Sequence, residues 1–287
     1  MAKVINDILL VPVDFTEITM NAVRHAMNLA DKSPVSFKIA LLHVINRESK
    51  AQLKKELLGM EAIFEKLEKI KAEIQKENLI EVDLIAREGS IFDVIAQVAG
   101  EIGARFMILG THGKKGLQYL FGSFAFKVIT QSPCPVIVVQ EKSPASVEYN
   151  KIIFPINIFT EPRQQVQFAI RSARNLGSRI VIFAQLFNDV AANNKVRIIT
   201  NQIESEFARN DVQYEVYTAE KQSNFVDQLI EFSKHNKGDL IMIMTDSSID
   251  RPDFNNSSWS EALIFNDAAI PVLCINPVYL GEIYFTF

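Results

Sequence analysis

The residues best suited to chemistry lie in one glycine-rich stretch of the first half of the chain. Four of the 11 glycines fall there: Gly110, Gly113, Gly116 and Gly122. Glycine has no Cβ, so its backbone N–H group can turn toward a bound anion. A helix that opens near Gly122 and Ser123 would add free N–H groups and the positive end of its dipole, with the Ser123 hydroxyl as a further donor. The pattern predicts a phosphate-binding loop. A flexible solvated loop is the alternative, and it accounts equally well for Lys114 and Lys115.

A second feature is the carboxylate of Asp14, which follows Pro12 and Val13 at the end of the first predicted strand. In a doubly wound sheet, ligands bind beyond the carboxyl ends of the strands, at the point where the winding reverses. If the first and fourth strands are neighbours there, Asp14 faces the glycine loop and suits a ribose hydroxyl. The alternative is that Asp14 caps the helix that follows.

Two histidines near these features are interpreted differently. His43 lies between Leu42 and Val44 in a predicted strand, and we expect a packed residue whose ring nitrogens are both satisfied. His112 lies inside the glycine loop and is a candidate ligand-side residue. No Cys or carboxylate stands at metal-ligand spacing from it, so a metal site is not expected.

The sequence contains no recognisable catalytic constellation. It lacks both the Gly-x-x-x-x-Gly-Lys-Ser/Thr loop of P-loop proteins and the Gly-x-Ser-x-Gly nucleophile elbow. No nucleophile is paired with an acid and a base, so we do not expect an efficient enzyme.

Short β-branched runs alternate with longer stretches of helical period, which predicts a parallel sheet covered by helices on both faces. The strands predicted in the first half are Val4–Val13, Phe37–Ile45, Glu81–Ala86, Arg105–Leu109 and Val136–Val139. The helices between them are Glu17–Ala30, Glu48–Glu77, Ile91–Ala99 and Phe121–Thr130. Ser90 and Asp93 are placed as a cap pair for the third of these helices.

The same order of elements recurs after a polar link, Glu141–Asn150. The predicted strands are Lys151–Ile156, Arg179–Phe187, Val212–Tyr217, Asp239–Met244 and Val272–Ile275. The predicted helices are Pro162–Leu176, Ala191–Ala208, Phe225–His235 and Trp259–Asn266. Prolines at corresponding positions, such as Pro12 and Pro155 in the first strand of each copy, together with the shared order of elements indicate a duplication.

The duplication predicts two tandem α/β domains, 1–140 and 151–277, followed by an apolar tail, 278–287. Each copy ends in a short apolar strand that would lie at a sheet edge, where unpaired backbone groups invite association. We therefore expect these last strands to pair within the chain, so that the halves form one rigid body. We expect the tail to pack on a sheet edge or on the same surface of a second chain; fraying, the default for a terminus, is the alternative.

Composition limits the classes of partner. The 287 residues are 48% hydrophobic and 22% charged with a net charge of −4, which argues against nucleic acid or an anionic membrane as the main partner. No apolar run is long enough for a membrane span, and Met1–Asp7 lacks the basic and apolar regions of a signal peptide. The two cysteines, Cys134 and Cys274, indicate a reducing compartment. We expect a cytoplasmic protein.

Several segments of the chain resemble sequences of the universal stress protein family. The similar segments are Val11–Glu17, Leu41–Ile45, Gly110–Gly113, Gly122–Ser123 and Pro133–Val139. The resemblance covers nearly the whole chain, strongly over 1–140 and more weakly over 151–276. It implies an adenine-nucleotide alpha-hydrolase-like fold, with a doubly wound five-stranded parallel sheet in the order 3-2-1-4-5 in each copy. It also implies ATP, or ADP or AMP, bound at the reversal point, with Mg²⁺ as a cation that can accompany the phosphates.

The resemblance also implies the residues of the site. Pro12, Asp14 and Val44 would contact the adenosine end. The phosphates would be lined by Leu109, Gly110, Gly113, Gly122, Ser123 and Phe124. In one respect the sequence departs from the family. Eight residues, 114–121, separate Gly113 from Gly122, whereas ATP-binding members have nine, so the loop is shorter here.

The second copy departs further. Asn157 stands in the place of Asp14, Thr245–Ser248 replaces the glycine turn, and Ser258 and Trp259 occupy the region of the Gly-Ser pair. A Trp there should block the phosphates, so we interpret this half as a structural partner.

The sequence thus predicts a cytoplasmic stress-response protein that binds an adenine nucleotide in its first half as a regulatory ligand. The alternative is a scaffold or partner-binding protein that has lost nucleotide binding. Weak ATP hydrolysis is a third interpretation, and a homodimer is left open.

Overall fold

The computed structural model describes residues 7–77, 79–111, 119–145, 148–158, 160, 162–220, 224–245 and 256–277, with the backbone alone at 77, 119–124, 162–164 and 256–258. Among these residues no helix is both long and apolar enough to cross a membrane.

Strands and helices alternate through the first half. The strands are β1 (Asp7–Pro12), β2 (Phe37–Ile45), β3 (Val82–Glu88), β4 (Phe106–Thr111) and β5 (Val136–Gln140). The helices are α1 (Glu17–Lys32), α2 (Arg47–Lys55), α3 (Glu61–Glu77), α4 (Ile91–Glu101) and α5 (Tyr119–Gln131).

The second half repeats this order with one helix fewer among the described residues. Its strands are β6 (Lys151–Ile156), β7 (Arg179–Ala184), β8 (Tyr214–Thr218), β9 (Leu240–Met244) and β10 (Val272–Ile275). Its helices are α6 (Pro162–Leu176), α7 (Val190–Arg209), α8 (Phe225–His235) and α9 (Asn256–Ile264).

The described strands form one ten-stranded sheet in the order β3-β2-β1-β4-β5-β10-β9-β6-β7-β8. Within each half all pairs are parallel, and the strand order is 3-2-1-4-5 from the outer edge to the centre of the sheet. The halves meet where β10 pairs antiparallel with β5, with Leu273 opposite Ile137. The predicted fold class and the predicted pairing of the two last strands are both confirmed.

Strand side chains alternate between two apolar layers, as the period of a strand requires. In β1, Leu9 and Val11 belong to the layer that includes residues of α1, α2, α3, α6 and α7, and Leu10 belongs to the layer that includes residues of α4, α5, α8 and α9. Both faces of the central strands are therefore buried, and polar chemistry there is left to the strand ends.

The single helix predicted over Glu48–Glu77 is wrong, because the chain forms α2 and α3 with a turn between them. Leu57 adopts a left-handed conformation with φ 55°, and the Leu58 N–H donates to the Leu53 carbonyl at 2.9 Å. This hydrogen bond closes the end of α2 in the way that a glycine usually permits. The predicted cap pair is also not formed as such: Ser90 is the N-cap of α4, but its side chain makes no capping hydrogen bond.

Candidate functional site

The two features singled out in the sequence meet at one edge of the sheet. β1 and β4 are parallel neighbours, with Leu9 opposite Phe106. The winding reverses between them, because the chain passes from β1 to β2 on one side and from β4 to β5 on the other. Asp14 follows β1, and Gly110 and Thr111 end β4, so these residues lie at the carboxyl edge where ligands bind in sheets of this class.

Asp14 is exposed, and one of its carboxylate oxygens is held by the start of α1. Oδ1 accepts hydrogen bonds from the Thr16 N–H at 3.0 Å, the Thr16 hydroxyl at 2.6 Å and the Thr19 hydroxyl at 2.8 Å. The N-cap of α1 is Thr16 rather than Asp14. Oδ2 accepts no hydrogen bond from the residues that the structure describes. The carboxylate therefore supports the helix start and still offers an acceptor to a ligand.

Phe15 turns the chain from β1 into α1 in an unusual backbone conformation. Its φ is 68°, in the left-handed region that costs a non-glycine residue about 1–2 kcal/mol. The ring stacks on His43 with centroids 4.6 Å apart, and the Lys66 ammonium lies 5.4 Å from the ring centroid. Strain of this kind is concentrated at binding sites, where the surrounding structure holds it in place.

His43 is a buried residue with both ring nitrogens engaged, as the sequence predicts. Nδ1 lies 2.8 Å from the Val13 carbonyl oxygen, and Nε2 lies 3.2 Å from the Ser49 hydroxyl. A carbonyl can only accept, so Nδ1 carries the proton and Nε2 accepts from Ser49. Burial lowers the pKa of His43, with a smaller contribution in the same direction from Lys66. The Val13 carbonyl and the Asp14 charge oppose this shift. The neutral ring thus fixes both neighbours of Asp14, Val13 by a hydrogen bond and Phe15 by stacking.

Gly110 lies where the backbone of α1 crosses the end of β4. A Cβ built on it would stand 2.7 Å from the Ile18 carbonyl oxygen, closer than real Cβ contacts allow. The glycine is therefore required for the packing of α1, whatever it does for a ligand.

The other residues implied for the adenosine end lie close by. Pro12 pairs with Leu42, and both are buried. Val44 and Leu109 are buried in the apolar layer beneath α4 and α5, which leaves their backbone groups as their means of contact with a ligand.

Much of the proposed phosphate loop lies outside the described residues, including His112, Gly113, Lys114, Lys115 and Gly116. Gly122, Ser123 and Phe124 belong to α5, whose backbone begins at Tyr119, two residues ahead of the predicted start. Their side chains also lie outside the description.

Thr111 is a feature that the sequence did not single out. It is the last residue of β4, only 6% exposed, and its hydroxyl has no hydrogen-bond partner among the described residues. Its backbone is paired, since the Glu141 N–H donates to the Thr111 carbonyl at 3.2 Å. A Thr at a strand end gives no signal in a sequence that would reveal an unmatched hydroxyl.

The corresponding edge of the second half is built differently. The Asn157 N–H donates to the Thr160 hydroxyl at 2.9 Å, in the place where Asp14 meets α1. Thr245 follows β9 as Thr111 ends β4, and its hydroxyl lies 3.1 Å from the Ile275 carbonyl oxygen and within reach of Asn276 Oδ1. Trp259 lies in α9 and packs against the apolar layer. Residues 246–255 are outside the description.

An open groove of about 570 Å³ lies at this second edge, between the loop after β6 and one face of α7. Ile158, Ile198 and Ile199 provide apolar walls, and Lys195 contributes a positive charge. The first half has both α2 and α3 between β2 and β3, whereas α7 alone joins β7 to β8. No pattern in the sequence indicates this groove.

Comparison with known proteins gives matches to one family. The model of the universal stress protein family matches residues 6–140. Universal stress protein G of Escherichia coli O157:H7 is 30% identical over 142 residues, which is 46% of this chain and 97% of that protein. A universal stress protein of Methanocaldococcus jannaschii is 29% identical over 142 residues, 46% of this chain and 81% of the relative.

Solved structures extend the likeness to both halves. A universal stress protein from Archaeoglobus fulgidus superimposes with a TM-score of 0.67 at 17% identity, covering 94% of this chain and 96% of that chain. A Pseudomonas aeruginosa protein described as a universal stress protein gives a TM-score of 0.57 at 13% identity, covering 95% and 94%. At these identities the likeness shows the fold alone, and it shows it over nearly the whole chain.

Proposed function

Because the chain belongs to the universal stress protein family, we propose that it is a cytoplasmic stress-response protein whose first half binds ATP or another adenine nucleotide as a regulatory ligand. The observation that carries the proposal is Asp14, a carboxylate with one fixed oxygen and one open oxygen at the reversal point between β1 and β4. A carboxylate so placed suits a ribose hydroxyl, the usual role of an acidic residue at a nucleotide crevice.

The proposed site combines Asp14 with the residues that its family resemblance implies. The full set is Pro12, Asp14, Val44, Leu109, Gly110, Gly113, Gly122, Ser123 and Phe124. The strained Phe15 and the buried His43 support this set, because they fix the backbone on both sides of Asp14. Any Mg²⁺ would arrive with the phosphates, since magnesium is usually bound by substrate phosphates together with one or two carboxylates.

We propose binding with little or no turnover. His43 stacks on Phe15, next to Asp14, and Val13 and Ser49 engage both of its ring nitrogens. The ring is buried in β2 and has no nitrogen left for a substrate or a water molecule, so His43 is not placed as a general base.

The test compares Asp14→Asn with the wild type. Asn keeps an oxygen for Thr16 and Thr19 but removes the charge, so affinity for ATP, measured by calorimetry, should fall at least about tenfold while the fold persists. Asp93→Asn, at an exposed position in the first turn of α4, is the matched control and should bind ATP as the wild type does. Equal affinity of Asp14→Asn and wild type would remove Asp14 from the site.

The same calorimetry gives the number of sites. We propose one nucleotide per chain, in the first half, because Asn157 and Trp259 replace the residues that the family uses. A stoichiometry of two would contradict the interpretation of the second half as a structural partner.

A partner-binding scaffold is the second candidate. The observation that favours it is the turn between α2 and α3, where Leu57 is 93% exposed and Leu58, Met60 and Phe64 are also exposed. Exposed apolar side chains this close together are typical of interaction surfaces. Thermal unfolding with and without ATP separates the two candidates, because a ligand of the native state must raise the melting temperature.

A further inference from the structure

The hydroxyl of Thr111 is buried at the edge where the nucleotide is proposed to bind, yet no described residue satisfies it. Burying a hydroxyl without a hydrogen bond costs about 1–3 kcal/mol, so such groups are uncommon and call for an explanation. Thr111 is also the last residue of β4, and residues 112–118, which lie outside the description, connect it to the start of α5.

The direction of this side chain follows from the alternation along β4. Leu109 packs into the layer beneath α4 and α5, and Gly110 faces α1 on the opposite side. Thr111 therefore points to the α5 side of the sheet. The first turn of α5 presents unsatisfied N–H groups and the positive end of its dipole, the environment that favours an anion.

The second half of the chain provides an internal comparison for Thr111. Thr245 occupies the same position after β9, in the half that lacks the glycine loop. There the hydroxyl lies 3.1 Å from the Ile275 carbonyl oxygen and close to Asn276 Oδ1, so the protein itself satisfies it. In the first half Gln140 stands where Asn276 stands, and its amide donates instead to the Asn266 carbonyl at 2.9 Å. The same residue type is thus satisfied in one copy, whereas in the copy with the glycine loop the described residues offer it no partner.

We propose that Thr111 is a binding residue of the nucleotide site, whose hydroxyl donates a hydrogen bond to a phosphate oxygen at the start of α5. This assignment rests on the proposed function and adds to its residues a side chain that lies between the first two glycines of the loop. A hydroxyl donor paired with an anionic oxygen makes a charge-assisted hydrogen bond, which is stronger than a neutral one. The bound phosphate would thereby satisfy a hydroxyl for which the described residues provide no partner.

The test uses the full chain and exchanges each Thr for Val, which has nearly the same shape and no hydroxyl. Thr111→Val should weaken ATP binding roughly tenfold or more in calorimetry, and it should leave the melting temperature of the ligand-free protein unchanged or higher. Thr245→Val should do the reverse. It should lower the melting temperature by about 2–4 °C per lost kcal/mol and leave the ATP affinity unchanged. Thr111→Ser keeps the hydroxyl and should restore affinity close to the wild-type value.

The outcomes separate this assignment from the proposed function. If the wild type binds ATP and Thr111→Val binds it equally well, the Thr111 assignment falls and the nucleotide site stands. If Thr111→Val lowers the melting temperature of the free protein as Thr245→Val does, the hydroxyl has a partner within the chain and the assignment also falls. If the wild type binds neither ATP nor inorganic tripolyphosphate, both proposals are overturned.

Discussion

Gly110 illustrates how one residue can belong to a motif and still be explained by packing. The Ile18 carbonyl of α1 lies where a side chain would begin, so Gly110→Ala should destabilise the protein by about 1–3 kcal/mol through overpacking. Chemical denaturation at pH 7 would measure this. The variant is thus a poor probe of phosphate binding, because a loss of affinity could follow from displacement of α1.

Gly100 is the matched control for that substitution. It lies in α4, and the nearest atom to an added Cβ is Cγ of Pro133 at 3.9 Å, an ordinary contact. Ala is the better helix former by up to about 1 kcal/mol, so Gly100→Ala should leave the free energy of unfolding unchanged or raise it. Equal destabilisation by the two substitutions would mean that the approach of α1 is not what constrains Gly110.

At this scale the sequence revealed residues whose type and place in a motif are informative, and it missed those defined by their surroundings. Asp14 could be singled out because a carboxylate at the end of the first strand lies where ligands bind in a doubly wound sheet. The unmatched hydroxyl of Thr111 and the tight approach to Gly110 depend on chain segments far apart in sequence. The structure gives the N-cap position to Thr16, and Asp14 supports that cap through Oδ1, while its ribose role stays a prediction.

Among the elements, α1 has a role that its amphipathic pattern does not show. Asn21, His25, Asn28 and Lys32 form a polar stripe at helical spacing along one face, and all four hold the segment that joins the halves. Their partners are the Gln140 and Ser143 carbonyls, the Tyr149 hydroxyl, the Ala145 carbonyl and the Glu148 carboxylate. The helix that starts at the proposed nucleotide site therefore also fixes the link to the second half.

His25 should make this contact sensitive to acid. The ring is fully buried, Nδ1 lies 2.7 Å from the Tyr149 hydroxyl, and burial lowers its pKa from 6.5 to about 4. The Ser143 carbonyl opposes this shift only in part. Between these two pH values the unfolded chain binds the proton and the folded chain does not, so acidification favours unfolding.

The predicted loss of stability from His25 is about 3 kcal/mol between pH 7 and pH 4. His25→Gln cannot titrate, so the pH dependence of its unfolding free energy should be shallower than that of the wild type by this amount. Urea denaturation across the range measures the difference between the two proteins and cancels the other titrating groups. Parallel pH curves for the two would show that His25 is accessible to protons in the folded state.

The bounds of the strands and helices could be predicted where the hydrophobic period agreed with the turn residues that flank each element. Phe37–Ile45, Lys151–Ile156 and Pro162–Leu176 have the predicted bounds. The break between α2 and α3 could not be foreseen, because Leu57 takes the left-handed position without the glycine that normally marks it. The hydrogen bond from the Leu58 N–H to the Leu53 carbonyl offsets the strain of the left-handed Leu57. No recognisable sequence motif indicates this hydrogen bond.

At the scale of the whole molecule, the halves are joined by a reciprocal exchange of amides as well as by strands. Gln140, at the end of β5, donates to the Ile264 and Asn266 carbonyls at the end of α9. Asn276, just after β10, donates to the Ile129, Thr130 and Ser132 carbonyls at the end of α5. Each half thus satisfies carbonyls at a helix end of the other half, which leaves costly unpaired groups if the two separate.

Residues 1–145 expressed alone should therefore associate. The fragment exposes the β5 edge and the α5 carbonyls, and pairing of two such edges is the simplest way to cover them. Sedimentation analysis should find a dimer or larger species. A stable monomer with the melting temperature of the full chain would contradict the expectation.

A second fragment provides the control for this experiment. Residues 148–287 added in trans should capture residues 1–145 as a one-to-one complex, because the native partner offers both β10 and Asn276. Persistence of the first fragment as its own dimer in the presence of an excess of the second would argue that the β5–β10 contact is weak.

The pairing of the halves could be predicted because exposed apolar strand edges promote association, and β5 and β10 are both short and apolar. The amide exchange could not, because Gln140 and Asn276 bond to main-chain carbonyls of helices that are more than 100 residues away in sequence. The domain limits at 140 and 151, and the packing of the tail over 278–287, stay predictions, and the tail lies outside the described residues.

The antiparallel contact between β5 and β10 turns the two halves head to tail. The carboxyl ends of β1 and β4 lie at one edge of the sheet, and those of β6 and β9 lie at the other. The proposed nucleotide site and the groove beside α7 consequently lie at opposite edges of the sheet, separated by its height, about 20 Å for six-residue strands. A small molecule in one opening leaves the other accessible, and a single flat surface pressed against the protein can cover only one of them.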